Sequence, residues 1–169
     1  MPQQIIDTAL DALLTFVQAE ATLLEVGVNE RSITHKMAEY LQRAFPEWHV
    51  DCEYNRLGHA VKRLPDPTGV GTDDTDGQTI FPDIIVHKRK ERANLLVIEV
   101  KKTTNTREGD EVKLRGLTAP QGEYGYEVGL HIYVDCASQR LSSVVAYRAG
   151  DISAELSAVA TAKLGLGKT

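Results

Sequence analysis

The apolar run at 95–100 constrains the fold more than any other feature of the chain, because its hydrophobic side chains are nearly continuous. Such a run is typical of a central strand that is buried on both faces of a sheet. Glu99 lies inside it, and a carboxylate in an apolar strand is costly unless it is paired or binds a metal ion. The run therefore predicts a sheet whose central strand carries an acid with a specific partner.

A hairpin is predicted around this strand, from a strand at 80–87, a polar basic tip at 88–92 and a strand at 94–101. If its turn centres near Glu91, Asp83 lies across from Glu99 at the few Å that separate cross-strand pairs. Glu99 and Lys101 are two positions apart, so their side chains project from the same face. Two carboxylates and one ammonium are therefore expected to converge.

This convergence suits a hard cation. The carboxylates of Asp83 and Glu99, with the main-chain carbonyl of Val100, offer the oxygen ligands that Mg²⁺ prefers. Lys101 is a candidate partner for Glu99, and a lysine beside a metal-bound water orients that water or helps to deprotonate it. Two alternatives are structural: Asp83 as a turn residue after Pro82, and Glu99 with Lys101 as an ion pair at a strand end.

The rest of the chain predicts helices and strands of one domain over 1–169 with no internal repeat. The long loop contains an acidic run, which we interpret as a solvated turn because it lacks the full ligand pattern of a calcium loop. The predicted elements are helices at 3–25, about 30–45, 108–119 and from the cap Asp151 to about 164, strands at 49–54, 129–136 and 143–148, and a loop at 55–79.

The motif residues carry a resemblance to a known family. Pro82 and Asp83, fifteen intervening residues, and then Glu99, Val100 and Lys101 resemble the signature of PD-(D/E)xK nucleases. The resemblance implies a metal-dependent nuclease that hydrolyses DNA phosphodiester bonds and leaves a 5′-phosphate. Its expected cofactor is Mg²⁺, for which Mn²⁺ substitutes, and its expected partner is nucleic acid, with DNA favoured. Many family members of this size act as homodimers.

The order of the predicted elements over about 29–136 is similar to the αβββαβ core of this restriction-endonuclease-like superfamily. The resemblance implies an α/β fold with a mixed central sheet flanked by helices. The N-terminal helix and the C-terminal strand and helix lie outside that core.

Glu30, followed by Arg31, is similar in position to an extra metal-binding glutamate of Holliday-junction resolvases in this superfamily. Helical spacing independently places Glu30 near Ile33 on the apolar stripe of its helix. It is therefore a candidate for metal binding and catalysis. As alternatives, Glu30 is only a first-turn acid that complements the helix dipole, or Glu53, at the end of the first core strand, is the third carboxylate.

The net charge of −5 argues at first against a nucleic-acid partner, but the basic residues are concentrated in the middle of the chain. Residues 55–115 hold 12 Lys and Arg against 10 Asp and Glu, whereas residues 1–54 hold 3 against 9. Phosphate contacts need local cations, not a basic whole chain. The candidate DNA contacts are Arg56, Lys62, Arg63, Lys102 and Lys113. The alternative for each is an exposed cation with no role in binding.

Two other functions compete with a nuclease. A recognition module of the same fold, binding nucleic acid or protein with little catalysis, has no need for the three polar groups that converge on an apolar strand. An enzyme for a small phosphorylated molecule is disfavoured, because no Gly-rich loop follows a strand. No apolar run approaches the roughly 18 residues of a membrane helix. With no signal peptide pattern and two cysteines, we expect a cytoplasmic protein with no membrane partner.

Overall fold

The computed structural model describes residues 1–54, 56–57, 60–61, 63–64, 78–103 and 109–166, with only the main chain for 56–57, 60–61, 63–64 and 78–79. Along the chain its elements are α1 (Pro2–Ala19), α2 (Ala21–Glu25), α3 (Glu30–Ala44), β1 (His49–Cys52), β2 (Arg56–Leu57), β3 (Ala60–Val61), β4 (Arg63–Leu64), β5 (Gln78–Thr79), β6 (Ile84–Lys88), β7 (Ala93–Lys102), α4 (Asp110–Thr118), β8 (Val128–Asp135), β9 (Arg140–Arg148), β10 (Asp151–Ile152) and α5 (Ala154–Lys163).

The centre of the fold is a six-stranded mixed sheet in the order β1-β6-β7-β8-β9-β10. β7 and β8 are parallel, and the other neighbouring strands are antiparallel. β7 is buried from Asn94 to Lys101 and has a strand on each side. This confirms the central strand that the apolar run predicts, and a parallel neighbour requires the crossover that α4 provides.

Helices cover both faces of this sheet, which confirms an α/β fold with a mixed sheet flanked by helices. Ile98 of β7 belongs to the core cluster that contains Leu10 of α1 and Met37 of α3. Val97, the neighbouring residue, packs on the opposite face with Leu114 of α4. Alternate residues of β7 therefore serve two separate cores, as expected for a strand covered on both sides.

The β6–β7 hairpin has the predicted register over its first pairs. Ile84 pairs with Ile98 and Val86 with Leu96, and the register shifts only after Val86. Asp83 precedes β6 by one residue, so the same register directs it toward Glu99.

Several predicted boundaries are wrong, each for a local reason. The strand predicted at 80–87 begins at Ile84, because Pro82 has no N–H for a strand ladder. The strand predicted at 49–54 ends at Cys52, because Glu53 adopts a left-handed φ of 49°. The helix predicted at 3–25 is divided at Glu20, whose φ and ψ of −110° and 28° leave helical geometry.

The C-terminal helix is also capped by a different residue than predicted. Ser153 is the N-cap of α5 and accepts a hydrogen bond from the Leu156 N–H, whereas Asp151 lies in β10 and pairs with Arg148. Val112, assigned to the apolar side of the helix predicted at 108–119, is exposed.

The predicted loop at 55–79 contains two short antiparallel pairs, β2–β3 and β4–β5, in its described part. The acidic run at 73–76 lies outside the described residues, as does Lys62. None of the helices in the described ranges is long and apolar enough to cross a membrane.

Candidate active site

A cavity of about 510 Å³ opens where β6 begins and β7 ends. Glu30 and Asp110, the first residues of α3 and α4, both line it. The positive ends of two helix dipoles therefore lie at its wall, an arrangement that favours anions such as phosphate. Asp83, Lys101 and Lys113 line the same cavity. The fold thus gathers three of the predicted catalytic side chains, Glu30, Asp83 and Lys101, with one predicted DNA contact.

Asp83 lines this cavity, and the fully buried Glu99 lies close enough to interact with it. The Val100 N–H donates a hydrogen bond of 2.8 Å to Asp83 Oδ2. Glu99 is fully buried, and burial together with the nearby Asp83 carboxylate raises its pKa well above the usual value. Burial also raises the pKa of Asp83, although the Val100 N–H partly offsets it. Two acids that resist ionisation together are a pair that a bound cation would stabilise.

One oxygen of Glu99 is left without a partner. Oε2 lies 2.7 Å from Lys113 Nζ, whereas Oε1 is buried and accepts no hydrogen bond from the described part of the chain. Buried carboxylate oxygens are nearly always satisfied in native proteins. Glu99 Oε1 is thus a buried oxygen, near the cavity-lining Asp83, that a ligand would stabilise.

Lys101 has a different partner from the one that the sequence indicates. Its Nζ lies 2.8 Å from Asp110 Oδ2, and Glu99 is paired with Lys113 instead. The predicted Glu99–Lys101 ion pair is therefore wrong, because α4 brings its own acid and its own lysine over the sheet. Burial alone would lower the pKa of Lys101, but Asp110 and the carboxylates beyond it raise it above the usual value. Lys101 is thus held as an ammonium.

Asp110 is a site residue that sequence reasoning missed. Its Oδ1 lies 3.2 Å from Lys113 Nζ, so its two oxygens contact two lysines. These lysines lower its pKa against the opposing effect of burial. A sequence signal existed, because Asp110 precedes the buried Leu114 and Leu117 by four and seven residues and shares their face of the helix.

His131 is a second missed residue, and its signal was weaker. It lies beside Glu99 in the parallel β7–β8 register, and its Nε2 is 3.8 Å from Asp110 Oδ2. Burial lowers its pKa, so the neutral ring is favoured. The alternating pattern of β8 predicts that Leu130 and Ile132 face the core and that His131 faces the other side. His131 is nevertheless buried, because α4 covers that side of the sheet, and the pattern of β8 alone does not reveal this.

The two rival third carboxylates both line the cavity. Glu30 Oε2 accepts a 3.0 Å hydrogen bond from the Lys102 N–H, which fixes it at the end of β7. Glu53 instead pairs with Arg31, with 3.0 Å between Oε1 and Nη2. Glu30 is held by the main chain at the end of β7, the strand that carries Glu99, and is therefore the better placed of the two to assist there.

The predicted DNA contacts are not grouped in one place. Lys113 lies inside the cavity, whereas Lys102 Nζ donates to the Gly27 carbonyl at 3.2 Å. Arg56 and Arg63 lie on β2 and β4, of which only the main chain is described.

Asp83 and Glu99 are the two carboxylates here that could hold a metal ion. Within the described ranges, no group of three or more His, Cys, Asp or Glu side chains is arranged to hold a metal. Mg²⁺, however, is commonly held by one or two carboxylates with waters and substrate phosphates. Asp83 and Glu99, with the unpartnered Oε1 of Glu99, fit that requirement.

Comparison of the sequence with models of protein families found no match, and comparison with curated proteins found none.

Proposed function

We propose that the protein is a metal-dependent nuclease of the PD-(D/E)xK type that hydrolyses DNA phosphodiester bonds. One observation carries the proposal: Asp83 and Lys101 line a cavity bounded by two helix N-termini at the end of a buried central strand, and the fully buried Glu99 lies near Asp83. Burying these groups opposes stability, which a purely structural role would not require.

The order of elements supports the finer fold assignment within this proposal. α3, β1, β6, β7, α4 and β8 follow one another as helix, three strands, helix and strand, with the short strands β2–β5 inserted before β6. This order matches the αβββαβ order of the restriction-endonuclease-like core, with Glu99 on β7 and Asp83 immediately before β6.

In the proposed mechanism, Asp83 and Glu99 would hold Mg²⁺ with the Val100 carbonyl as a further ligand, and Glu30 would assist from the wall of the cavity. The ion supplies polarisation of the scissile phosphate and a lowered pKa of bound water. The chain itself supplies a fixed positive charge, because Asp110 holds Lys101 as an ammonium. Lys101 therefore positions the attacking water and stabilises negative charge on the phosphate, rather than acting as a base.

A second candidate function is phosphate recognition without cleavage. The helix N-termini of α3 and α4, with Lys101 and Lys113, form an anion site by themselves. The lack of a three-acid metal group in the described part of the chain favours this alternative. It gives no role, however, to the buried pair of Asp83 and Glu99.

The experiment that tests the nuclease is cleavage of a panel of plasmid, linear and branched DNA with Mg²⁺ or Mn²⁺. We expect the wild type to cut at least one substrate and both Asp83→Asn and Lys101→Ala to lose cutting. Glu39→Gln is a matched control, since Glu39 pairs with Lys36 outside the cavity. If the wild type and all variants bind DNA but none of them cuts it, the recognition module would replace the nuclease as the proposed function.

A further inference from the structure

The ammonium of Lys113 bridges two acids at the base of the cavity. Its Nζ lies 2.7 Å from Glu99 Oε2 and 3.2 Å from Asp110 Oδ1. Glu99 is the only one of these three side chains that is 0% exposed, and it keeps Oε1 unpartnered. The Lys113 ammonium therefore already contacts Glu99, the buried carboxylate that the proposed metal site requires.

The two lysines of the cavity differ in how firmly they are held. The side chain of Lys101 is 8% exposed and ion-paired with Asp110, whereas that of Lys113 is 26% exposed. Lys113 lies in the first turn of α4, with solvent on one side of its side chain. It is thus the lysine that can change position while Lys101 stays fixed.

We infer that Lys113 is a built-in counter-cation of Glu99 that exchanges with a divalent ion. This inference rests on the proposed function, because it takes Asp83 and Glu99 as the metal site. In the metal-free protein, Lys113 neutralises Glu99. When a divalent ion binds, the ammonium leaves Glu99 and is retained by Asp110, which already contacts it. No covalent bond forms or breaks in the exchange.

The exchange has a thermodynamic consequence. A divalent ion that displaces Lys113 must break the Lys113–Glu99 ion pair, so its apparent affinity is lower than for an unpaired Glu99. Removing the ammonium should therefore strengthen divalent binding, whereas removing a lysine far from the site should leave it nearly unchanged. A buried ion pair interacts more strongly than an exposed one, so the change should be large enough to measure.

Calorimetric titration with MgCl₂, in the absence of DNA, tests this directly. We expect Lys113→Met to bind Mg²⁺ about 5- to 50-fold more tightly than the wild type, from the coupling expected between interacting sites. Lys113→Arg keeps the charge and should bind like the wild type. Lys36→Met is the matched control, because Lys36 forms an ion pair with Glu39 at the same i,i+3 spacing as Lys113 with Asp110.

Equal or weaker Mg²⁺ binding by Lys113→Met would overturn the exchange while leaving the nuclease proposal intact. If no protein binds Mg²⁺, the exchange is wrong, and DNA cleavage by the wild type then decides the nuclease separately.

A second measurement uses the unaltered protein, in case Lys113→Met does not fold. The ¹³Cε signal of Lys113 should shift during the Mg²⁺ titration, and that of Lys36 should not. A Lys113 signal that stays unchanged at saturating Mg²⁺ would contradict the exchange.

Discussion

At the residue scale, Glu99 decides the chemistry of the site. It is buried in the central strand, adjacent to a second acid, and has a lysine on one oxygen only. Such a group opposes folding, because its charged form is poorly solvated and repelled by Asp83. Active sites commonly contain residues that reduce stability in this way.

The first prediction concerns the pH dependence that Glu99 imposes. Its pKa is higher in the folded protein than in the unfolded chain, so its ionisation destabilises the fold as pH rises from about 4.5 through the raised value. Relative to the wild type, Glu99→Gln should therefore gain stability as pH rises from about 4.5 to 8, because glutamine has no carboxyl group to ionise.

Urea denaturation in metal-free buffer over this pH range measures the effect. Glu39→Gln is the control, because the pKa of exposed Glu39 is lowered by its ion pair with Lys36 and gives no gain at high pH. A difference in stability between Glu99→Gln and the wild type that is the same from pH 4 to pH 8 would refute the pKa direction.

The second prediction concerns Asp110 and has the opposite sign. The pKa of Asp110 is lowered in the folded protein, so its charge stabilises the fold at pH values above the usual carboxyl pKa. This stabilisation is lost as pH falls through the lowered pKa. Asp110→Asn leaves the buried Lys101 and the half-buried Lys113 with a weaker partner. We expect a loss of about 2–4 kcal/mol at pH 7 that narrows below about pH 3.

The same denaturation series checks it, with Glu111→Gln as the neighbouring control, since Glu111 is exposed and pairs with Arg115. No loss of stability in Asp110→Asn at pH 7 would contradict the ion pairs that hold Lys101.

Which acids and cations meet could be predicted only in part from the sequence. The hairpin register and the period of a strand suffice to bring Asp83, Glu99 and Lys101 to one edge. The partners of these residues depend on how α4 lies across the sheet, which is a tertiary property. Lys113 therefore takes the place predicted for Lys101 beside Glu99.

At the element scale, α4 lies between β7 and β8 in the chain and carries Asp110 and Lys113, which form ion pairs with Lys101 and Glu99 of β7. Its approach to the sheet depends on Gly129 of β8, where an added Cβ would lie 3.0 Å from Thr118 Cγ2 and 3.2 Å from Leu114 Cδ2. The absence of a side chain at this position lets the helix pack closely enough for Lys113 to reach Glu99.

The third prediction follows from this contact. Gly129→Ala should destabilise the protein by about 1–3 kcal/mol, because overpacking forces the helix away from the strand. Because α4 positions Asp110 and Lys113, DNA cleavage should fall as well. Urea denaturation and the cleavage assay measure the two effects, and unchanged values in both would show that the spacing of α4 is not critical.

The elements themselves were largely predictable, and the errors lie where local conformation departs from periodicity. Hydrophobic period alone does not detect the break at Glu20 or the left-handed turn at Glu53. The pairs β2–β3 and β4–β5 are two residues long, too short for an alternating pattern to be recognised.

At the scale of the whole molecule, the net charge of −5 limits non-specific attraction to DNA. Binding must therefore depend on local cations around the cavity and in 55–115. Because the described cavity supplies mainly ion-paired lysines, we expect the remaining phosphate contacts to come from residues such as Arg56 and Arg63.

The fourth prediction is a salt dependence of this binding. The logarithm of the affinity should fall with the logarithm of salt with a slope of roughly −0.9 per phosphate contact. Arg56→Gln should reduce the magnitude of that slope by about 1, measured by fluorescence anisotropy on labelled DNA. Arg43→Gln is the control, because Arg43 stacks on Tyr40 of the same helix. A shallow slope in the wild type would count against a basic DNA surface.

The assembly state belongs to the same scale. A homodimer would let two copies cut both strands, and solution scattering measures the mass that distinguishes it from a monomer.

The measurement that tests the central claim most directly is the single-turnover cleavage rate of Lys101→Met, on the best DNA substrate and with Mg²⁺. We predict a rate about 100-fold or more below the wild type, with DNA affinity nearly unchanged and 5′-phosphate ends on the wild-type product. Cleavage by Lys101→Met at the wild-type rate would contradict the assignment of this cavity as a nuclease active site.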